Sequence, residues 1–76
     1  MKELLLYIAK NLVDDPEAVS VTETQDDDGT VLALRVAPGD MGKVIGRQGR
    51  IAKEIRTLVK AVAQRNNEKV TVEIVD

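Results

Sequence analysis

Cysteine and histidine are both absent from the 76 residues, and the only aromatic side chain is Tyr7. Without thiols there are no disulfides and no thiolate metal sites. Without imidazole the commonest general base and the commonest metal ligand are missing together. Long apolar runs are also missing: none approaches the ~20 residues needed to cross a bilayer. The N-terminal run Leu4–Ala9 ends at Lys10 with no small-residue cleavage site after it, so no secretory signal is read and a soluble, cytosolic protein is expected. The length suits one small domain, residues 1–76, with a thin stability margin.

What is present is charge, unevenly placed. The formal net charge is −2, yet residues 41–65 hold seven basic side chains (Lys43, Arg47, Arg50, Lys53, Arg56, Lys60, Arg65) against Glu54 alone. The remainder carries four basic and twelve acidic residues. With screening lengths of about 8–10 Å at physiological salt, a ligand feels the local patch more than the total.

Periodicity gives the order helix, strand, strand, short helix, long helix, strand. Leu5, Ile8, Ala9 and Leu12 have helical spacing, and Asp14-Asp15-Pro16 stops that helix. Leu4, Leu6 and Tyr7 widen its apolar surface, which reads either as deep burial or as a self-association face. Ala18–Thr24 and Thr30–Val36 alternate as strands, with Val19 and Val21, then Leu32, Leu34 and Val36, on the apolar side. The Asp28-Gly29 pair between them signals a hairpin. Asp26-Asp27-Asp28 lacks the later ligands of an EF-hand loop and reads as a solvated turn. A short helical turn from Asp40 to Ile45 precedes a helix from about Arg50 to Gln64. In that helix Ile51, Ile55, Leu58, Val59 and Val62 share an arc of roughly 100°. Lys53, Arg56 and Lys60 share another face, with Arg50 beside them. Asn66-Asn67 ends the helix, and Val70, Val72 and Ile74 alternate as a last strand. The expected architecture is α+β: a three-stranded sheet covered on one face by three helices.

The stretch Gly42–Ile55 reads GKVIGRQGRIAKEI, with two glycines around Arg47-Gln48 between two helices. A Walker A loop ending at Gly42-Lys43 fails at Ala37 and Val44, and a dinucleotide fingerprint ending at Gly49 fails at Val44. Glycines at 46 and 49 permit a sharp turn and a close approach to the backbone. The next helix starts there, so its N–H groups and dipole favour an anion. A phosphate chain satisfies all of these features.

Val44-Ile45-Gly46-Arg47-Gln48-Gly49-Arg50-Ile51 resembles the G-x-x-G signature of KH domains, and the element order αββααβ matches their type II arrangement over nearly the whole chain. The length without a second domain resembles bacterial stand-alone KH proteins of the KhpA type. The resemblance implies a loop that clamps about four nucleotides of single-stranded RNA. Gly46, Arg47, Gln48 and Gly49 would form the clamp and Ile45 and Ile51 an apolar groove, with core packing the favoured reading of Ile51; Arg50 and Lys43 would add phosphate contacts, and Lys53 and Arg56 read either as peripheral phosphate contacts or as an ordinary solvated helix face. It also implies an RNA chaperone or post-transcriptional regulator tied to cell shape and wall synthesis, acting as a homodimer or with a larger KH-containing partner of the KhpB type. No catalytic residue, cofactor or metal is expected. With Tyr7 far from the loop, aromatic stacking on bases is largely absent, and weak, salt-sensitive binding follows. The rival reading is a protein-interaction module with little direct RNA contact, which the acidic remainder and the apolar first helix both suit.

Overall fold

The computed structural model describes residues 1–75. Helix α1 spans Lys2–Leu12 and ends where the Val13 N–H donates to the Ala9 carbonyl at 3.2 Å. A 3₁₀ turn at Pro16–Ala18 leads into strand β1 (Ser20–Asp26), which is followed by β2 (Gly29–Arg35). Helix α2 covers Met41–Ile45 after a 3₁₀ turn at Pro38–Asp40, α3 covers Arg50–Arg65, and β3 covers Val70–Ile74. The expected αββααβ order is the observed one, and each helix and strand lies within two residues of its expected bounds.

The sheet order is β1-β2-β3. β1 pairs with β2 antiparallel through the hairpin, and β3 pairs with β2 parallel. A parallel partner requires a long crossover, and here α2, the glycine loop and α3 form it. Leu5 and Ala9 from α1, Val21, Leu32 and Leu34 from the sheet, Val44 from α2, and Ile55, Val59 and Ala63 from α3 close the core together with Val70 and Val72. The opposite sheet face carries Thr22, Thr24, Val31, Ala33, Thr71 and Glu73, paired across the strands.

The hairpin turn falls one residue earlier than the Asp-Gly pair suggests. Asp27 and Asp28 form it, and Asp26 lies opposite Gly29. The Asp28 N–H donates to Asp26 Oδ1 at 2.8 Å, an Asx-type bond. Gly29 sits at φ +125°, and a Cβ there would lie 2.5 Å from the Lys69 carbonyl oxygen. The start of β3 passes against this glycine, so Gly29 serves sheet closure as well as the turn.

Two expectations about apolar faces need correction. In α1 only Leu5 and Ala9 are buried, while Tyr7 is 69% and Leu12 36% exposed, so deep burial describes one stripe of that helix. In α3, Leu58 is 47% exposed, and Ala52 and Ala63 are buried instead. The buried stripe of α3 is Ala52, Ile55, Val59 and Ala63, and of these Ile55, Val59 and Ala63 join the core with the strands. The C-terminus of α3 closes as a Schellman motif: Glu68 N–H bonds to Ala63 O at 2.9 Å and Asn67 N–H to Gln64 O at 3.1 Å. Asn67 holds the left-handed position at φ 57°.

Gly29→Ala is expected to lose about 1–3 kcal/mol, from left-handed strain and the Lys69 collision. Gly42→Ala, a helical position with nothing within 4 Å of the added methyl, is expected to gain up to about 1 kcal/mol. Urea denaturation midpoints of the two variants check both signs.

Candidate functional site

Between α2 and α3 the chain reverses in four residues. Gly46 ends α2 at φ 75°, ψ 176°, Gln48 lies at φ 58°, ψ 26°, and Gly49 at φ 75°, ψ 14°. Three of the four residues therefore take positive φ, the region where a Cβ is costly. Gly46 is also sterically required, because a Cβ there would lie 2.6 Å from Ile51 Cγ1. Gly49 has open space around it and is constrained by its dihedral alone. Gln48 accepts the left-handed conformation without being glycine, a strained residue at the tip that spacing alone does not disclose. The loop is tied internally by Gly46 N–H to Gly42 O at 2.8 Å and Gly49 N–H to Gly46 O at 3.2 Å.

Arg47, Gln48 and Arg50 are exposed at this turn. Gly49 is the N-cap of α3 and provides no side-chain cap, so the first-turn N–H groups are left to solvent or a ligand. A bare helix N-terminus, two guanidinium groups and an amide side chain thus converge on one short loop. This arrangement suits a chain of phosphates.

The other expected site residues divide. Ile45 is 37% exposed beside the loop, whereas Ile51 lies under Gly46 and packs against the core. Ile51 also lines an apolar groove with Ile8, Leu12, Ile55 and Leu58 between α1 and α3. Lys53 is exposed on the first turns of α3. Arg56 is turned toward the sheet, where its Nε–H donates to the Val72 carbonyl at 3.2 Å. Lys43 departs from expectation. Its ammonium is 2.7 Å from Asp14 Oδ2 and 3.6 Å from Asp40 Oδ1, so it brings no free cation to the loop.

That ion pair belongs to a network that sequence reasoning missed. Asp40 precedes α2 yet does not cap it. The residue is 4% exposed, and its carboxylate accepts the Asp15 N–H at Oδ2, 3.0 Å away. The link pins the segment after α1 to the start of α2. The Asp40–Lys43 spacing of three is visible in the sequence, but the partner at Asp14 and Asp15 lies too far along the chain to be inferred. Burial pushes the Asp40 carboxyl up. The Asp15 and Asp14 amides and the Lys43 ammonium outweigh it and hold the group below the usual carboxylate value of 3.8. For Lys43 the hydrogen bond and charge of Asp14 prevail over burial, and with Asp40 they raise the ammonium above 10.5.

A mixed three-stranded sheet backed by three helices, with Gly46-Arg47-Gln48-Gly49 joining the second and third, is a KH domain of the αββααβ kind. The chain belongs to the KhpA/KhpB family of KH domains, whose model matches residues 2–74. It is 60% identical over 75 residues to the RNA-binding protein KhpA of Clostridium perfringens, covering 99% of this chain and all of that one. It is 53% identical to the KhpA of Chlamydia trachomatis, over 100% of this chain and 97% of that one. It is 51% identical to the KhpA of Listeria monocytogenes, over the full length of both. The family is not an enzymatic one.

Two outcomes are expected. Gly46→Ala destabilises more than Gly49→Ala, because both suffer left-handed strain but only the first strikes Ile51; thermal melts of the pair check the order. Asp40 has a depressed folded-state pKa, so its contribution to stability is present above the ordinary carboxylate range and is lost as pH falls through the folded value. Asp40→Asn is therefore expected to flatten the decline in stability below about pH 4, read from melting temperatures across an acid series.

Proposed function

We propose that the chain binds single-stranded RNA as a single KH domain, with Gly46–Gly49 and the first turn of α3 as the phosphate clamp. The observation that carries this reading is the left-handed loop set directly against an uncapped, basic helix. The relatives' name, RNA-binding protein, supports it. Arg47, Gln48 and Arg50 make the principal phosphate contacts, with Ile45 beside the bases and Lys53 on the following turn. Ile51 acts mainly as the support beneath Gly46, and Lys43 acts through the Asp40 network. On this reading the protein serves as a cytoplasmic RNA chaperone or post-transcriptional regulator, and the link to cell shape and wall synthesis rests on family resemblance.

Affinity comes chiefly from charge. Neutralising three or four phosphates on a single strand gives a log–log salt slope of roughly −2 to −3. Arg47→Asp combined with Gln48→Asp places two carboxylates at the clamp and is expected to abolish binding of a fluorescent single-stranded RNA pool while circular dichroism stays native. Equal binding by both proteins contradicts the clamp.

A second element of the reading is association with another copy or with a larger KhpB-type partner. Leu12 and Leu58 are partly exposed where they line the apolar groove, one from α1 and one from α3. This surface lies on the flank of α3 away from Arg56 and β3, so pairing there leaves the clamp open and presents two grooves to one RNA. Leu58→Glu is expected to convert a dimer to a monomer in sedimentation equilibrium, and an unchanged mass refutes this interface.

A further inference from the structure

Among the described residues Asp40 is the one buried polar side chain, and it lies outside the glycine loop. Its N–H donates to the Ala37 carbonyl at 2.8 Å, and its carboxylate is engaged on both sides. Oδ2 accepts the Asp15 N–H at 3.0 Å. Oδ1 lies 3.6 Å from the Lys43 ammonium, which is itself 2.7 Å from Asp14 Oδ2. The helix that begins here, α2, has five residues and no side-chain cap. A helix of that length does not hold its shape unaided. Its anchors are Val44, fully buried, and the Asp40 carboxylate at its start. Its last residue is Ile45, and Gly46 opens the clamp. Only about 7.5 Å of helix separates the buried carboxylate from the loop.

We propose that Asp40 is a positioning residue of the clamp: through α2 it holds the glycine loop in its RNA-binding geometry and couples that loop to residues 13–16 after α1, without touching RNA. The inference rests on the RNA-binding reading and deepens it. Charge alone predicts the opposite sign of effect. A carboxylate near a phosphate site repels the ligand, so its removal would tighten binding. As a positioning group, its removal weakens binding. Lys43 is judged by a second criterion. Its ammonium is held by Asp14 and Asp40, so it releases no counterion when RNA binds, and its loss leaves the salt slope as it was. Coupling between two sites is reciprocal. If the Asp40–Asp15 link favours RNA by a given factor, bound RNA suppresses opening of that link by the same factor. The Asp15 amide, 25 residues from Asp40 in the chain, reports that opening directly.

Fluorescence anisotropy with a randomised single-stranded RNA at two salt concentrations tests the assignment. The proteins compared are the wild type, Asp40→Ala, Asp40→Asn, Lys43→Met, and Val21→Ala as a core control on β1, each checked for folding by circular dichroism. Asp40→Ala is expected to bind about three- to tenfold more weakly. Asp40→Asn keeps an oxygen for the Asp15 N–H and is expected to recover part of that loss. If Asp40→Ala does not fold, the comparison of Asp40→Asn with the wild type decides the sign. Lys43→Met is expected to weaken binding with the salt slope unchanged, and Val21→Ala to bind as the wild type does. In the wild type, saturating RNA is expected to slow hydrogen exchange of the Asp15 amide by the factor that Asp40→Ala costs in binding. Unchanged or tighter binding by the folded Asp40 variants overturns the positioning role and leaves the clamp standing. A slope less negative by about 1 in Lys43→Met overturns it too, because Lys43 then meets phosphate itself. So does an equal loss in Val21→Ala, which makes the effect one of general stability, or an Asp15 amide indifferent to RNA. Absence of binding by the wild type overturns the clamp and the positioning role together.

Discussion

A side chain on Gly46 would collide with Ile51, and this close approach governs the arrangement of the site. Helix α2 must end, reverse and hand over to α3 within four residues, with Ile51 packed on the core beneath the turn. Only a residue without a Cβ fits at 46, and only positive φ at 48 and 49 completes the reversal. The same geometry that makes room for Ile51 leaves the backbone uncovered and the α3 N-terminus uncapped. Core packing and ligand access are thus two results of one constraint. The Asp40 carboxylate secures the other end of α2 to the segment after α1, so the short helix carrying the loop is fixed at both of its ends.

Charge placement follows from the way α3 meets the sheet. Its Ile55, Val59 and Ala63 pack into the core with the strands, which sends Arg56 to the Val72 carbonyl of β3 and Leu58 to the groove against α1. An acidic protein thereby presents one basic helix flank, while acids gather in the segment after α1 (Asp14, Asp15, Glu17) and around the hairpin (Glu23, Asp26, Asp27, Asp28). The net charge of −2 conceals this separation. A nucleic acid meets the local field of the β3 flank within a Debye length, and the acidic remainder discourages binding elsewhere.

Much of this was legible from residues alone because its signals are local. The αββααβ order follows from periodicity and breakers, and the glycine loop is written as two glycines between apolar neighbours. Three features were not legible, each for a definite reason. Leu58 shares the apolar arc of α3, but how far α1 extends over that arc is a tertiary matter, and it leaves Leu58 at the rim. Lys43 belongs to the basic run yet finds Asp14, 29 residues back in the chain, a pairing that spacing does not announce. The turn at Asp27-Asp28 overrides the Asp-Gly signal because Gly29 is needed opposite Lys69.

The most direct test of the central claim is an amide chemical-shift map of the isotopically labelled protein during titration with a four-nucleotide single-stranded RNA. With the glycine loop as the clamp, the largest shifts fall on Gly46–Gly49 and the first turn of α3, and the Thr22, Ala33 and Glu73 face of the sheet stays unmoved. Shifts concentrated on that sheet face or along α1, with the loop amides unchanged, would contradict it.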